Sequence, residues 1–153
     1  MRTYTVELTA RVHAPATVAY GIIADYRNGH PHIIPPKYFR NLSVIEGGVG
    51  AGTRIRFEMG AMGVWRTVEA DVTEPRPGEL LEERIPAERI RTTFQVVPAG
   101  QVACDVTIAT EFAQRGGVVG ALERLTTSAI TRRVYRDELA LLDRVARERS
   151  GAE

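Results

Sequence analysis

The sequence predicts an α+β domain in which a strongly curved antiparallel sheet of about seven strands wraps on a long C-terminal helix. Three observations lead to this prediction. Apolar and polar residues alternate in the first twelve residues and again from residue 41 to 112, as in strands buried on one face. A short helical stretch separates these two regions. After Gly116-Gly117, an apolar stripe at helical spacing runs from Leu122 to Val145.

The first strand is predicted over residues 4–12, and a short helical segment follows it. Pro15 suits the first turn of that helix, because its missing N–H would be unpaired there anyway. Asn28-Gly29 ends the helix, and the prolines that follow keep a long helix from resuming. We expect an irregular segment there, apart from a single helical turn near residues 32–39.

Six further strands are predicted where the apolar period becomes two, joined by turns rich in glycine and proline. Their ranges are 41–46, 53–59, 64–74, 80–85, 89–97 and 102–112. The last helix would be about 45 Å long, enough to cross the whole sheet. A straight helix on a curved sheet leaves a space between them, where ligands bind. Without a linker or an internal repeat, residues 1–153 are expected to form a single domain.

Composition argues against several classes of partner. The net charge of +1 at pH 7 gives no reason to expect nucleic acid or an anionic membrane. Cys104 is the only cysteine, so no intrachain disulfide can form and a reducing compartment is expected. The N-terminal residues alternate in polarity and contain no apolar run as long as a signal peptide or a membrane span. We therefore expect a cytoplasmic protein without membrane insertion.

Four segments follow one another along nearly the whole chain: "VHAPATVAYGIIADY", "EGGVGAGTRIRF", "VTEPRPGELLEE" and "FAQRGGVVGALERL". In this order they resemble the SRPBCC superfamily (the START-like and Bet v 1-like helix-grip proteins), close to its polyketide cyclase/dehydrase branch. The resemblance implies the helix-grip fold. It also implies an interior cavity, since members bind lipids, sterols, polyketides, hormones and quinones. Its enzymes share no catalytic set, so the resemblance leaves the function open.

Strand parity, the helical stripe and the apolar residues of the segment after the first helix together predict which residues line the cavity. The predicted ligand-binding residues are Ile34, Tyr38, Phe57, Met59, Arg66, Val68, Thr92, Phe94, Cys104, Val106, Leu125 and Ala129. Val102 has the same inward parity. Thr92 suits a strand because it is β-branched, and it could also orient a polar ligand group. Cys104 is expected to be a small buried side chain rather than a reactive thiol.

Arg66 falls on the inward face of its strand among apolar neighbours. A cation in that position must be paired, or stay hydrated at the cavity mouth. One interpretation is an anchor for a carboxylate or phenolate ligand. The other is that Arg66 pairs with an acidic side chain, or that a bulge turns it outward. Trp65 has the outward parity, where packing on a neighbouring element and a homodimer contact both stay open.

The segment "DYRNGHPHIIPPKYF" raises a different question, because His30 and His32 bracket Pro31. An extended backbone would point both imidazoles to the same side. A metal site would need further ligands at suitable spacing, so the sequence predicts no metal and no cofactor. The segment is best explained as a stiff, mainly apolar rim to the cavity, whose histidines are candidates for ligand contact.

Three functions follow from this interpretation, in order of preference. The first is binding of a small hydrophobic or aromatic molecule, such as a lipid, a polyketide or an aromatic acid. The second is an enzyme of the polyketide cyclase/aromatase or dehydratase kind in the same cavity. Its candidate catalytic residues are Arg66, His30, His32 and Tyr26. The third is a non-catalytic interaction module or homodimer with a collapsed cavity.

Overall fold

A computed structural model describes residues 2–61 and 63–151. Met1, Met62 and residues 152–153, which belong to the predicted domain of residues 1–153, lie outside the described residues. The strands are β1 (Thr3–Val12), β2 (Phe39–Glu46), β3 (Arg54–Ala61), β4 (Val64–Arg76), β5 (Leu80–Ile85), β6 (Ile90–Pro98) and β7 (Cys104–Ala113). The α-helices are α1 (Ala16–Ala24) and α2 (Gly117–Ser150).

The seven strands form one antiparallel sheet in the order β1-β7-β6-β5-β4-β3-β2. Every neighbouring pair except β1 with β7 is consecutive along the chain, so short turns join most of the sheet. The sheet curves, and the long helix α2 packs on it. The predicted α+β architecture, with seven strands and a long C-terminal helix, is confirmed. None of the helices within residues 2–61 and 63–151 is long and apolar enough to cross a membrane.

The segment after α1 is not extended, although only an extended backbone would point the imidazoles of His30 and His32 to the same side. His30–His32 forms a single 3-10 turn, slightly earlier than the helical turn expected near residues 32–39. The turn separates the two rings, so that His30 is only 3% exposed whereas His32 faces solvent. Gly29 makes this possible, since it lies against the backbone of α1 where a Cβ would be 2.4 Å from the carbonyl oxygen of Ile22.

The apolar stripe of α2 is buried over only part of its length. Leu139, Leu142 and Ala146 of the C-terminal half are buried, and α2 packs on β1 and α1. At the N-terminal end, Leu122 and Leu125 are 60% and 70% exposed. The prediction of one continuous buried stripe is therefore wrong there, because the first turns of the helix have solvent rather than the core beside them.

β7 begins at Cys104, two residues after the start of the predicted strand 102–112. The pairing of β6 with β7 stops at Pro98 and Cys104, and the chain turns between them. Val102 lies in that turn and is 76% exposed, so its predicted inward position is wrong. Strand parity carries no information once the ladder of hydrogen bonds has ended.

Candidate functional site

A cavity of about 440 Å³ lies between the sheet and α2. Strands β2 to β7, the segment after α1 and the middle of α2 form its walls. Its volume is nearly three times the roughly 150 Å³ of an engineered cavity that binds benzene, so about two or three fused rings would fit. The cavity is not collapsed, in contrast to the cavity expected for the third function, whereas the interaction module and the homodimer stay predictions.

The walls of the cavity are mainly apolar, and many of them are aromatic. The aromatic rings that line it, besides His30, are those of Tyr38, Phe39, Phe57, Phe94, Phe112 and Tyr135. Ile130 and Val134 of α2 add aliphatic surface from the helix side. Such a lining favours a flat hydrophobic ligand over a polar one.

Seven of the predicted ligand-binding residues line the cavity: Ile34, Tyr38, Phe57, Met59, Arg66, Thr92 and Phe94. The other five lie elsewhere: Val68, Cys104 and Val106 are buried in the core, and Leu125 and Ala129 are exposed on α2. Cys104 and Val106 belong to β7, where α1 packs on the sheet in place of a ligand. Burial raises the pKa of the Cys104 thiol to about 11, as expected for a thiol that is not reactive.

Arg66 lies at the rim of the cavity rather than inside it. Its side chain is 56% exposed, and its guanidinium donates a hydrogen bond of 3.0 Å to Glu88. This is the arrangement described by the second interpretation of Arg66, pairing with an acidic side chain. The neighbouring Trp65 packs on the guanidinium of Arg40, whose carbon lies 3.9 Å from the ring centroid. The homodimer contact stays a prediction.

Tyr26, His30 and Glu83 form a group of polar side chains in mutual contact, here called the Tyr26–His30–Glu83 cluster, of which His30 and Glu83 line the cavity. The buried Tyr26 hydroxyl donates to Oε1 of Glu83. Nε2 of His30 lies 3.5 Å from the same oxygen. The Tyr26 and His30 rings are stacked with centroids 4.5 Å apart. Two of the four candidate catalytic residues thus meet at one carboxylate, whereas His32 and Arg66 do not.

The tautomer of His30 follows from its second contact. Nδ1 lies 2.8 Å from the carbonyl oxygen of Ile23, at the end of α1. A carbonyl can only accept, so Nδ1 carries a hydrogen and Nε2 is left to face Glu83. The ring is therefore oriented to hold a proton between Nε2 and the carboxylate, or to release it.

Tyr26 serves as a neutral donor to this cluster. Burial, with a further contribution from the charge of Glu83, raises the pKa of Tyr26 well above its ordinary value. The phenol therefore keeps its hydrogen while Glu83 is negatively charged, and its hydroxyl fixes the position of that carboxylate.

Glu138 brings a second carboxyl group to the cavity from α2. It is only 4% exposed, and none of the described residues provides a hydrogen-bond partner for its side chain. Every fully enclosed side-chain polar atom of the described residues has a hydrogen-bond partner. Since the carboxyl oxygens of Glu138 have none, they must be open to the cavity that Glu138 lines. Burial, followed by the negative charge of Glu83, holds the pKa of Glu138 well above its usual range.

Three hydroxyl groups extend the polar part of the wall. The Oγ1 atoms of Thr92 and Thr110 lie 2.7 Å apart, and Thr110 also shares a hydrogen bond with the Tyr135 hydroxyl. Burial and the charge of Glu138 raise the pKa of Tyr135, so this phenol is neutral as well. Because hydroxyl groups both donate and accept hydrogen bonds, they can bind a ligand group that is a donor or one that is an acceptor.

Two cavity residues, Glu83 and Glu138, were not predicted, although the sequence pattern marks both of them. Glu83 has the same parity as Leu81 and Ile85, which face inward on β5. Glu138 lies four residues from both Val134 and Leu142, within the buried stripe of α2. A carboxylate on an apolar face is a candidate for a functional site. The described residues contain no group of three or more side chains placed to hold a metal ion.

Comparison with known proteins adds a family and several similar folds. A family model described as "Polyketide cyclase / dehydrase and lipid transport" matches residues 3–147. No curated protein sequence matches significantly. The solution structure of the KanY protein is 24% identical, with a TM-score of 0.82 over 95% of this chain and 99% of that one.

Two further solved structures are similar. A protein from Thermus thermophilus is 19% identical, with a TM-score of 0.79 over 96% of this chain and 99% of that one. The Zhui aromatase/cyclase from Streptomyces sp. R1128 is 18% identical, with a TM-score of 0.78 over 97% and 96% of the two chains. At these identities, the likenesses show the fold alone.

Proposed function

Because the chain belongs to the polyketide cyclase/dehydrase and lipid transport family, we propose that it binds a small hydrophobic or aromatic molecule between the sheet and α2. The observation that carries this proposal is the cavity of about 440 Å³ with its aromatic walls. An open cavity of this size with mainly apolar walls and a few polar groups is the usual form of a small-molecule binding site. The candidate ligand classes are lipids, polyketides and aromatic acids.

Binding can be tested with a probe whose fluorescence rises in apolar surroundings, such as N-phenyl-1-naphthylamine. Thr127 lines the cavity, so Thr127→Trp would fill part of it. Thr126 is its exposed neighbour on α2, so Thr126→Trp is the matched control. We expect the wild type and Thr126→Trp to bind the probe, and Thr127→Trp to bind about tenfold more weakly or not at all.

Two results would contradict the proposal. One is a wild-type protein that does not bind the probe, or any member of a panel of sterols, quinones, fatty acids and aromatic acids, up to their solubility limits. The other is a Thr127→Trp variant that keeps its melting temperature and binds as well as the wild type. That result would place binding outside the cavity.

A second candidate function, a cyclase or dehydratase, is favoured by the proton-transfer groups at the cavity wall. Glu83 with His30 can act as a base, and the neutral Glu138 can act as an acid. In an aldol cyclisation, the base removes a proton from a carbon between two carbonyls, and that carbon bonds to the carbon of a third carbonyl elsewhere in the substrate. The acid then protonates the oxygen of this third carbonyl. No redox cofactor is needed, because the reaction is redox-neutral.

The enzyme hypothesis has its own test. A synthetic poly-β-ketone thioester would be incubated with the protein, and cyclised or dehydrated products would be followed by mass spectrometry. Glu83→Gln should lower the rate by about two orders of magnitude, the usual loss of one acid–base group. Glu79→Gln, on the exposed turn before β5, should leave it unchanged. Equal rates for wild type, Glu83→Gln and buffer would dismiss catalysis.

A further inference from the structure

The charges around the cavity point to the kind of molecule that it takes. We infer that the ligand is a hydrophobic amine, whose basic nitrogen lies between the carboxyl groups of Glu138 and Glu83. The inference rests on the proposed binding function and adds the chemical class of the ligand's polar end.

The first observation is that Glu138 is unpartnered. Its carboxyl group is nine-tenths buried or more, lines the cavity and has no hydrogen-bond partner among the described residues. In the empty cavity only water can bind this group, whereas a ligand with a polar or charged end can bind it directly. The unpartnered carboxyl therefore defines where the polar end of a ligand lies.

The second observation is the shortage of positive charge inside the cavity. Glu83 already has Tyr26 and His30 as partners, and only His30 can bring a positive charge to it. Among the described residues that line the cavity, Arg66 is the one with a permanent positive charge, and it pairs with Glu88 at the rim. A carboxylate ligand would therefore meet two carboxyl groups and no free cation, whereas an ammonium group supplies the missing charge.

The aromatic walls suit the same ligand. Phe94 contacts His30 edge to face, and Tyr135 precedes Glu138 by one turn of α2, so both rings border the polar end of the cavity. Aromatic faces attract ammonium groups and stabilise them further once water is removed. The rest of the wall would hold the hydrocarbon part of the molecule.

The proton balance of binding follows from the surroundings of Glu138. In water at neutral pH, an alkylamine is present as the ammonium ion, whereas a carboxyl group that is buried without a partner or a nearby cation favours its neutral form. When the ammonium ion binds and forms an ion pair with the Glu138 carboxylate, the carboxyl O–H bond breaks and that proton leaves to solvent. One proton is released for each amine bound.

Other titratable groups near Glu138 must be considered too. Tyr135 is on the same helix, Glu83 faces it from β5, and Tyr26 and His30 belong to the segment after α1. The two phenols are neutral throughout the range, because burial raises their pKa. A response of the Glu83–His30 pair would survive the replacement of Glu138, so the variant below separates the two sources.

The experiment uses three probes with one naphthalene skeleton: 2-(1-naphthyl)ethylamine, 2-(1-naphthyl)ethanol and 1-naphthylacetate. Isothermal titration at pH 6, 7 and 8, in buffers of different ionisation enthalpy, gives the affinity and the number of protons released. We expect the amine to bind about tenfold tighter per pH unit with release of about one proton, while the alcohol is independent of pH. At pH 8 the acetate should be the weakest of the three.

Glu138→Gln keeps the shape of the side chain and removes its proton. In this variant the pH dependence and the proton release of the amine should disappear, while Glu69→Gln on the outer face should retain both. If Glu138→Gln fails to fold, the proton release of the wild type still decides. An amine affinity that does not change with pH, or an acetate affinity equal to that of the amine, would overturn the inference of an amine ligand but would leave the proposed binding function intact. If neither the three probes nor N-phenyl-1-naphthylamine bind, the proposed binding function falls with it.

Discussion

Nε2 of His30 lies 3.5 Å from Oε1 of Glu83, and this contact joins the segment after α1 to the middle of β5. The opposite side of the ring is fixed by the hydrogen bond from Nδ1 to the carbonyl oxygen of Ile23. The backbone of α1 therefore determines which imidazole nitrogen the cavity receives. A histidine held at both nitrogens has little freedom left, as a group that positions a proton requires.

The Tyr26 hydroxyl should contribute measurably to stability. Tyr26→Phe removes the donor to Glu83 and leaves a carboxylate that has lost a partner in a largely buried position. Hydrogen bonds to charged groups are worth about 1.5–3 kcal/mol, so we expect the free energy of unfolding to fall by about that amount. Urea denaturation monitored by circular dichroism measures it.

Tyr20→Phe is the matched control for this prediction. Tyr20 is also buried, and its hydroxyl donates to Glu74 at 3.1 Å, but Glu74 is partly exposed and can take a water molecule instead. The loss in this variant should be smaller, about 0.5–1.5 kcal/mol. Equal losses in the two variants would mean that Tyr26 does not hold a buried carboxylate.

Glu138 predicts a pH dependence of stability with a definite sign. Burial and the charge of Glu83 raise the pKa of Glu138 in the folded state, while an unfolded glutamate titrates near 4.3. The contribution of Glu138 to stability is complete below that value. It is lost as the pH rises toward the folded-state pKa, because the native state then holds a proton that the unfolded state has released.

Glu138→Gln removes this loss. The stability of the variant relative to the wild type should therefore increase from pH 5 to pH 8, with a slope of at most about 1.4 kcal/mol per pH unit. Thermal or urea unfolding across that range gives the difference, and Glu69→Gln is the control with an exposed, ion-paired carboxylate. A constant difference between variant and wild type would show that Glu138 is ionised in the native state.

The fold could be predicted from the sequence because its signals are local and repeated. Alternation along β3, β4, β6 and β7 gave the inward face of the sheet, and the glycine and proline turns gave the order of the strands. The errors occurred where the apolar pattern of the sequence continues beyond the end of the strand pairing or of the packed part of the helix. Val102 continued the alternation beyond the end of the ladder, and Leu122 continued the stripe beyond the packed part of α2.

The site could be predicted only in part, since it depends on contacts between distant segments. Aromatic residues such as Phe57 and Phe94 were found by parity, whereas the relation between Glu83 and Glu138 requires the helix to lie over β5. The role of His30 depends on a 3-10 turn that the prolines around it did not reveal. Charged residues on inward faces were the available signal, and it was followed for Arg66 but not for the two glutamates.

The hydroxyl chain from Thr92 through Thr110 to Tyr135 should also stabilise the fold. Thr110→Val keeps the shape of the side chain and leaves the hydroxyls of Thr92 and Tyr135 without their common partner. We expect a loss of about 1–3 kcal/mol in the free energy of unfolding, the cost of unsatisfied buried polar groups.

The same strand provides the control. Thr107 shares a hydrogen bond of 2.7 Å with Thr9, but this pair lies on the outer face, where water can replace either partner. Thr107→Val should change the free energy of unfolding by no more than about 0.5 kcal/mol. If Thr110→Val were equally mild in urea denaturation, the cavity would have to hold water at this position.

The backbone that places His30 gives a final prediction, through Gly29. A Cβ at this position would lie 2.4 Å from the carbonyl oxygen and 2.9 Å from the Cα atom of Ile22, both backbone atoms of α1. Since neither atom can move without disturbing the helix, Gly29→Ala should cost about 2–3 kcal/mol. The His30 ring would also shift from Ile23 and Glu83, so N-phenyl-1-naphthylamine should bind more weakly to the folded variant.

Gly21 offers a control of opposite sign within α1. A Cβ there meets no atom within 4 Å, and alanine forms a helix more readily than glycine, so Gly21→Ala should stabilise the protein by about 0.5–1 kcal/mol. The two variants make the same chemical change at two glycines on either side of the end of α1. Changes of the same sign in their urea midpoints would contradict the close approach of Gly29 to α1, and with it the account of how the chain holds His30 against Glu83.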